Sequence, residues 1–297
     1  MLIGTSLGSF NGLELKEAMG LYLKLSSDFD LNAVEIRLEK EEERPSSWAW
    51  ELNDKIADFL DNFEVTGAHL PFVYLNPISP NPRIKKESIN QLKGAIKKAS
   101  ELEMNYCVMH ARGFAYGLTH EQQIEEWKKV IKELTELAKD NSILLTIENA
   151  DFLSDLKDII SVVKEINSKW LKITLDIGHA HIRNVPPLSS YPIKELVFKV
   201  MDFTPLPFII KKGMPYEKYG SLKNFIKSEH DLISNVHVHD YNGRKDHMSI
   251  GEGKIDFSFL AELKNNFKGP YIFEMRFENH YNDFEKNYRR FTKLVKV

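Results

Sequence analysis

The segment NVHVHDYNGRKDHMSIGEG, residues 235–253, packs three histidines and two aspartates between His237 and His247, in a chain with 10 histidines in all. His237, His239, Asp240, Asp246 and His247 are all able to bind divalent metals, because neutral imidazole and carboxylate are the ligand types of zinc, manganese and cobalt sites. Groups of the same kind recur along the chain: His69 in GAHLP, His110 in VMHA, Glu148 in TIENA, Asp176 and His179 in LDIGHAH, and Glu274 in IFEM. Singly, each has an ordinary explanation, as a satisfied polar group near the surface or a member of an ion pair. Together they resist it. A carboxylate inside an apolar strand such as LLTIENA or YIFEMRF is costly to bury unless it is paired or metal-bound. The set predicts a divalent-metal site of zinc, manganese or cobalt, holding one to three ions.

Such groups need a scaffold that brings distant segments together. Eight short apolar runs supply one: LIGTSL (2–7), NAVEIRL (32–38), EVTGAHL (64–70), NYCVMHA (105–111), ILLTIENA (143–150), LKITLDIG (171–178), NVHVHDY (235–241) and PYIFEMRF (270–277). Several are near-continuous in branched and large apolar residues, as strands covered on both faces are. Between them lie amphipathic stretches. Ile89, Leu92, Ile96, Ala99 and Leu102 fall at helical spacing in 85–103, as do Ile124, Trp127, Ile131, Leu134 and Leu137 in 120–139. Ser154 and Asp155 precede LKDIISVVKEI as a helix start. Strands alternating with helices predict an α/β chain, either a (β/α)8 barrel or a doubly wound sheet. The count of eight and a final helix over 282–295 favour the barrel, read as one domain over 1–297. One connection breaks the rhythm. Residues 183–234, between strands six and seven, hold Pro186, Pro187, Pro192, Pro205, Pro207 and Pro215, too many for a simple helix. This insertion is expected to form a lid or a subunit contact, as is the helix with Trp127, and a homodimer is expected.

In barrels of this kind chemistry sits at the C-terminal ends of the strands. Metal-capable residues mark six consecutive candidate strand ends: His69, His110, Glu148, Asp176 with His179 beyond it, His237 and His239, and Glu274. Asp246 and His247 fall in the loop after strand seven. Strand residues two apart share a face, so the spacing leaves open which of His237 and His239 ligates. His237 is taken as the ligand, with His239 as a supporting or substrate-binding group. His120, His181, His230 and His280 are read as surface residues.

Composition narrows the partners. Hydrophobic residues make up 42% of the 297 and charged residues 28%, enough for a large buried core. A net charge of −3 argues against a broad nucleic-acid surface, which draws on clustered Lys and Arg. The single Cys107 rules out an internal disulfide and suits a reducing compartment. No basic leader opens the chain and no apolar run approaches the ~18 residues of a membrane span, so a cytoplasmic protein is expected. Residues 39–44, EKEEER, are read as a solvated acidic face.

At GAHLP (67–71), IENA (147–150), LDIGHAH (175–181), HVHDYNGRKDHMSIGEGKID (237–256) and IFEM (272–275) the sequence resembles the xylose isomerase-like barrel superfamily, the family-2 apurinic endonucleases and their sugar isomerase and epimerase relatives. The resemblance covers nearly the whole chain. The ketose 3-epimerase branch, exemplified by D-tagatose 3-epimerase, implies one metal on Glu148, Asp176, His237 and Glu274. There Glu148 and Glu274 exchange protons at carbon, with His179, His239 and Arg244 toward the substrate. The endonuclease IV branch implies three zincs on His69, His110, Glu148, Asp176, His179, His237, Asp246, His247 and Glu274. Its loop spaces the last pair as D-x-H, whereas Asp246 and His247 are adjacent here, which implies an altered third site. An acidic 39–44 loop should also repel a phosphate backbone. The resulting expectation is a metal-dependent sugar isomerase or epimerase acting on a small sugar, with no nucleic acid and no membrane. Alternatives are an abasic-DNA phosphodiesterase and a metal-binding barrel without catalysis.

Overall fold

The computed structural model describes residues 1–39, 53–153, 155–182 and 221–295. Eight short runs pair side by side as β1 (Ile3–Ser6), β2 (Ala33–Arg37), β3 (Val65–His69), β4 (Tyr106–Met109), β5 (Leu144–Glu148), β6 (Leu171–Asp176), β7 (Ile233–Val238) and β8 (Tyr271–Phe273). Every pairing is parallel, each strand neighbours the next, and β8 returns to β1 to close the barrel. Apolar side chains on both faces of these strands are what closure requires, since neither face meets water.

The described helices are α1 (Leu15–Phe29), α2 (Asn53–Leu60), α3 (Pro82–Glu101), α4 (His120–Asp140), α5 (Leu156–Ile166), α6 (Leu222–Glu229), α7 (Leu260–Asn266) and α8 (His280–Val295). Their starts are written in the sequence. Asn81 accepts the Arg83 amide with Pro82 in the first turn, Thr119 and Gln122 form a reciprocal capping box, and Asp155 accepts the Lys157 amide. Trp127, on α4, is fully buried within the chain and belongs to the core. The expected insertion 183–234 ends in ordinary barrel structure: α6 buries Leu222, Phe225 and Ile226, Lys223 and Lys227 pair with Glu262 on α7, and β7 begins at Ile233. Residues 183–220 lie outside the described residues.

A polar layer runs through the barrel below the strand ends. The Thr146 and Thr174 hydroxyls bond each other at 2.6 Å, and Thr174 donates to Asn235 Oδ1 at 2.8 Å. Neighbouring strands place Glu35 beside Gly67, and Gly67 beside Tyr106. At the mouth, Asn76 bonds both the amide and the carbonyl of Phe114, tying the loop after β3 to the loop after β4.

Candidate metal centre

The C-terminal ends of β3 to β8 deliver the polar groups to one place. β3 ends on His69, β5 on Glu148 and β6 on Asp176; His110 and Glu274 each follow their strand by one residue. The β6–β7 register sets Asp176 beside His237. Among the described residues three adjacent groups result, with donor atoms in each lying within 4.8 Å of one another: His69, His110 and Glu148; Glu148, Asp176, His237 and Glu274; and His179, His239 and His247. Glu148 belongs to two of them. Ligands of one zinc, bound at ~2.0–2.2 Å, stand roughly 3.3 Å apart in a tetrahedron, so small side-chain movements would let each group share an ion.

The first group has its protons assigned by its surroundings. His69 Nδ1 lies 3.1 Å from the Leu70 carbonyl and His110 Nδ1 lies 2.9 Å from Asp151 Oδ2. Both Nδ1 atoms therefore donate, which leaves both Nε2 atoms with lone pairs. Those two Nε2 atoms face each other at 3.2 Å, with Glu148 Oε2 at 2.9 Å from His110 and 3.7 Å from His69. Three acceptors this close and this buried repel one another unless a cation lies between them. Without an ion the demand falls on protons. Burial opposes a charge on His110, yet Glu148 and Asp151 outweigh it and raise His110 to about 10.

The second group is richer in carboxylate. His237 is fully buried, its Nε2 is 3.1 Å from Glu35 Oε2, and Nδ1 is left to the group. Nδ1 stands 3.0 Å from Glu274 Oε2, 3.4 Å from Glu148 Oε2 and 4.0 Å from Asp176 Oδ2, yet among the described residues it makes no hydrogen bond, nor does Glu148 Oε1. Burial works against a charge on His237, but Glu35, Glu274 and Glu148 push it well above the ordinary imidazole range. Burial likewise opposes ionisation of Glu148, and the nearby His110 and His237 hold it well below the usual carboxylate range. Glu274 is held low in the same way by His237. Unpartnered nitrogen and oxygen atoms converging on one point, with negative charge in excess, fit a divalent cation.

The third group differs. The His247 amide donates to His239 Nδ1 at 3.0 Å. That nitrogen then carries no proton, and its 3.2 Å approach to the Asp240 carbonyl is a contact between two acceptors. His239 Nε2 therefore bears the proton and gives it to Asp176, 3.0 Å from both carboxylate oxygens. A nitrogen that donates to Asp176 has no lone pair to offer an ion. The His239 ring lies flat over the Gly178 backbone, where an added Cβ would meet ring atoms at 1.9 Å. His179 Nδ1 sits 2.9 Å from Glu148 Oε1 and makes no hydrogen bond among the described residues; burial opposes its charge, and Asp176 and Glu148 raise it to about 9.

Not every residue singled out in the sequence joins these groups. Asp246 is half-buried and Arg244 exposed in the loop after β7, and neither belongs to any of the three. Asp240 has a different task. Its carboxylate accepts the amides of Tyr241, Gly251, Gly253 and Ile255, clamping the GEG turn to the end of β7 and fixing the loop that carries His247. Glu39 is buried and accepts the Phe72 and Val73 amides, because the loop after β3 leaves those donors facing it; it is not part of a solvated face, and 40–44 lie outside the described residues. The four histidines read as surface residues are half-buried and engaged: His120 with Asp158, His181 with the Ile177 carbonyl, His230 with Asp231, and His280 with the Phe277 carbonyl. Asp151 and Glu35, the carboxylates behind His110 and His237, carry no motif of their own. Their only sequence signal is a charge beside or within an apolar strand.

A closed parallel barrel with clustered metal-capable residues at one mouth defines a class, and the comparisons name the family. A model of the xylose isomerase-like TIM barrel matches residues 23–293, and the chain belongs to that family. The uncharacterized protein MJ1311 of Methanocaldococcus jannaschii is 30% identical over 220 residues, covering 70% of this chain but 64% of the relative, less than two thirds of its length. Among solved structures, a D-tagatose 3-epimerase-like protein matches with a TM-score of 0.73 at 24% identity, over 100% of this chain and 97% of that one. The IOLI protein with a binding zinc atom matches with a TM-score of 0.72 at 15% identity, over 100% and 98%. At these identities the likeness is one of fold. No described helix is long and apolar enough to cross a membrane.

Proposed function

We propose that this chain is a divalent-metal-dependent sugar isomerase or epimerase that moves a proton at a carbon next to a carbonyl. The observation that carries the reading is the second group. Glu148 and Glu274 approach the same His237 nitrogen, at 3.4 and 3.0 Å, with Glu148 fully buried and Glu274 keeping 11% exposure toward the mouth. A divalent ion held there would polarise neighbouring carbonyl and hydroxyl oxygens and acidify the carbon between them. One glutamate takes the proton from carbon and the other returns one, so the substrate changes configuration or carbonyl position with no net loss of atoms. His179 orients a substrate oxygen, as does Arg244, while His239, whose ring nitrogens are engaged by Asp176 and the His247 amide, supports the ligand Asp176. The fold neighbour named for D-tagatose 3-epimerase supports the substrate class, a small sugar. The protein is read as cytoplasmic, as a single domain and as a homodimer, with no nucleic-acid partner; one light-scattering mass of a monomer at all concentrations would remove the dimer.

The first group favours a second reading, because a single-ion site has no need of His69 and His110. An endonuclease IV-like phosphodiesterase would use the additional ion to activate hydroxide against an abasic strand. One experiment separates the two. Metal-loaded protein is incubated with a panel of ketoses in deuterium oxide, and in parallel with a duplex containing one abasic site. Deuterium entering the sugar, lost about a hundredfold or more in Glu274→Gln, supports the isomerase. Nicking abolished by Glu148→Gln supports the hydrolase. Loaded protein inert in both would leave a metal-binding barrel without catalysis.

A further inference from the structure

We infer that Glu35 is a positioning residue for the metal centre: across the barrel interior its carboxylate holds the His237 ring so that Nδ1, and not Nε2, is presented to Glu148, Asp176 and Glu274. The inference rests on the reading of His237 as a ligand. Glu35 sits on β2 and is fully buried. Its Oε2 lies 3.1 Å from His237 Nε2 and 3.1 Å from the Tyr106 hydroxyl. A carboxylate oxygen can only accept, so both partners donate, and the His237 proton is fixed on Nε2. The lone pair of Nδ1 then faces the three carboxylates. A carboxylate behind a ligating histidine sets its tautomer, restrains its rotation and makes the ligating nitrogen more basic.

The register aligns Glu35 with Gly67 and Gly67 with Tyr106, so the Tyr106 ring must pass over position 67 to reach Glu35. A Cβ at Gly67 would meet Tyr106 Cζ at 2.3 Å and its hydroxyl oxygen at 2.6 Å, which explains a glycine in mid-strand, where it otherwise weakens the sheet. Gly67 admits Tyr106, Tyr106 holds Glu35, and Glu35 holds His237. The first group repeats the device with Asp151 behind His110. That group does not touch Glu35, so it serves as an internal control.

The test uses cobalt(II) as the probe ion on the whole, chelator-treated chain. Binding is followed by competition with a chromophoric chelator and by the visible spectrum of the bound ion, a readout that fold integrity alone does not move. Glu35→Gln keeps the size of the side chain and removes its charge. The expected result is one class of ion bound about 10–100-fold more weakly, with a changed spectrum, while a second class keeps its affinity. Glu35→Asp should fall between wild type and Gln. Tyr106→Phe, which removes only the hydroxyl that holds Glu35, should shift the same class in the same direction by less, and it serves if Glu35→Gln does not fold. Wild-type affinity and spectrum in both Glu35→Gln and Tyr106→Phe would overturn the inference and leave the metal reading standing. A wild-type chain that takes up no cobalt(II) or zinc would overturn both.

Discussion

His69 and His110 present their Nε2 atoms to each other at 3.2 Å while the far nitrogen of each ring is spoken for, by the Leu70 carbonyl and by Asp151. Two lone pairs directed into one buried space, with a carboxylate oxygen 2.9 Å from one of them, are stable only around a positive charge. The same count in the second group reaches the same result, whereas in the third His239 spends its proton on Asp176. The expected stoichiometry is therefore about two zinc ions per chain, each on three or four protein ligands. Removing Glu148, which serves both groups, should lose both ions in Glu148→Ala. His110→Ala should lose one, and Asp246→Ala none. Elemental analysis after chelation, reloading and gel filtration reads these numbers directly. Three ions in the wild type, or loss of one in Asp246→Ala, would return Asp246 to the ligand set.

Proton release should accompany metal uptake. In the metal-free chain His110 is raised to about 10 and His237 well above the ordinary imidazole range, so at pH 7 both carry protons that neutral imidazole ligands must lose. Affinity then falls as pH falls. Titration calorimetry in two buffers of different ionisation enthalpy should give different apparent heats, and equal heats would count against protonated histidines in the empty site.

The same shifts set the stability of the metal-free chain. A histidine whose folded value is raised above the unfolded 6.5 stabilises the fold fully below that value, and the contribution is lost as pH rises through the folded value. Carboxylates held below 4.5, such as Glu148 and Glu274, act oppositely: their contribution is present above 4.5 and lost in acid. The metal-free protein should therefore be most stable between about pH 4.5 and 6.5 and should lose stability toward pH 10. Bound metal should reverse the slope above about pH 6.5, where the ligands shed the protons that compete with the ion, and should steepen the loss in acid. Thermal midpoints measured with and without chelator across this range test both signs.

Much of this was legible beforehand, for physical reasons. Strands covered on both faces leave continuous apolar runs, so a polar group at the end of one stands out, as His69, Glu148, Asp176, His237 and Glu274 do. The choice between His237 and His239 was not legible, because period-two spacing puts both on one face; a bond to Glu35 on a strand some 200 positions earlier separates them. Asp240 was legible as a metal-capable residue and not as a clamp, since its partners are backbone amides, which no residue type announces. The adjacency of Asp246 and His247 already departs from the D-x-H spacing, and His247 adopts a left-handed conformation at φ 50°, so adjacent residues on such a turn do not point the same way.

Asp240 should matter to stability more than its distance from the substrate suggests. Its two oxygens accept four backbone amides, and in Asp240→Ala four part-buried donors lose their acceptor at once. Unsatisfied buried groups cost about 1–3 kcal/mol each before relaxation, and the turn can recover part of that from water. A net loss of about 2–4 kcal/mol is expected in urea unfolding of the metal-free chain. A loss under about 0.5 kcal/mol, the usual surface value, would mean that the GEG turn holds its shape without the clamp.

Gly178 and His239 should be energetically coupled. An alanine at 178 would place its Cβ 1.9 Å from His239 Cε1, a separation no ring tolerates, so the imidazole must swing away from Asp176 or the strand end must move. Overpacking of this kind costs about 1–3 kcal/mol. In a His239→Ala background the obstacle is gone, and Gly178→Ala should be nearly neutral, because the backbone at 178 is already in the right-handed helical region at φ −64° and ψ −47°. A double-mutant cycle on unfolding free energy should therefore show a coupling of about 1 kcal/mol or more between the two positions. Additive effects would mean that the ring does not rest on Gly178, and with that the hydrogen bond from His239 to Asp176, and the exclusion of His239 from the ligand set, would lose their footing.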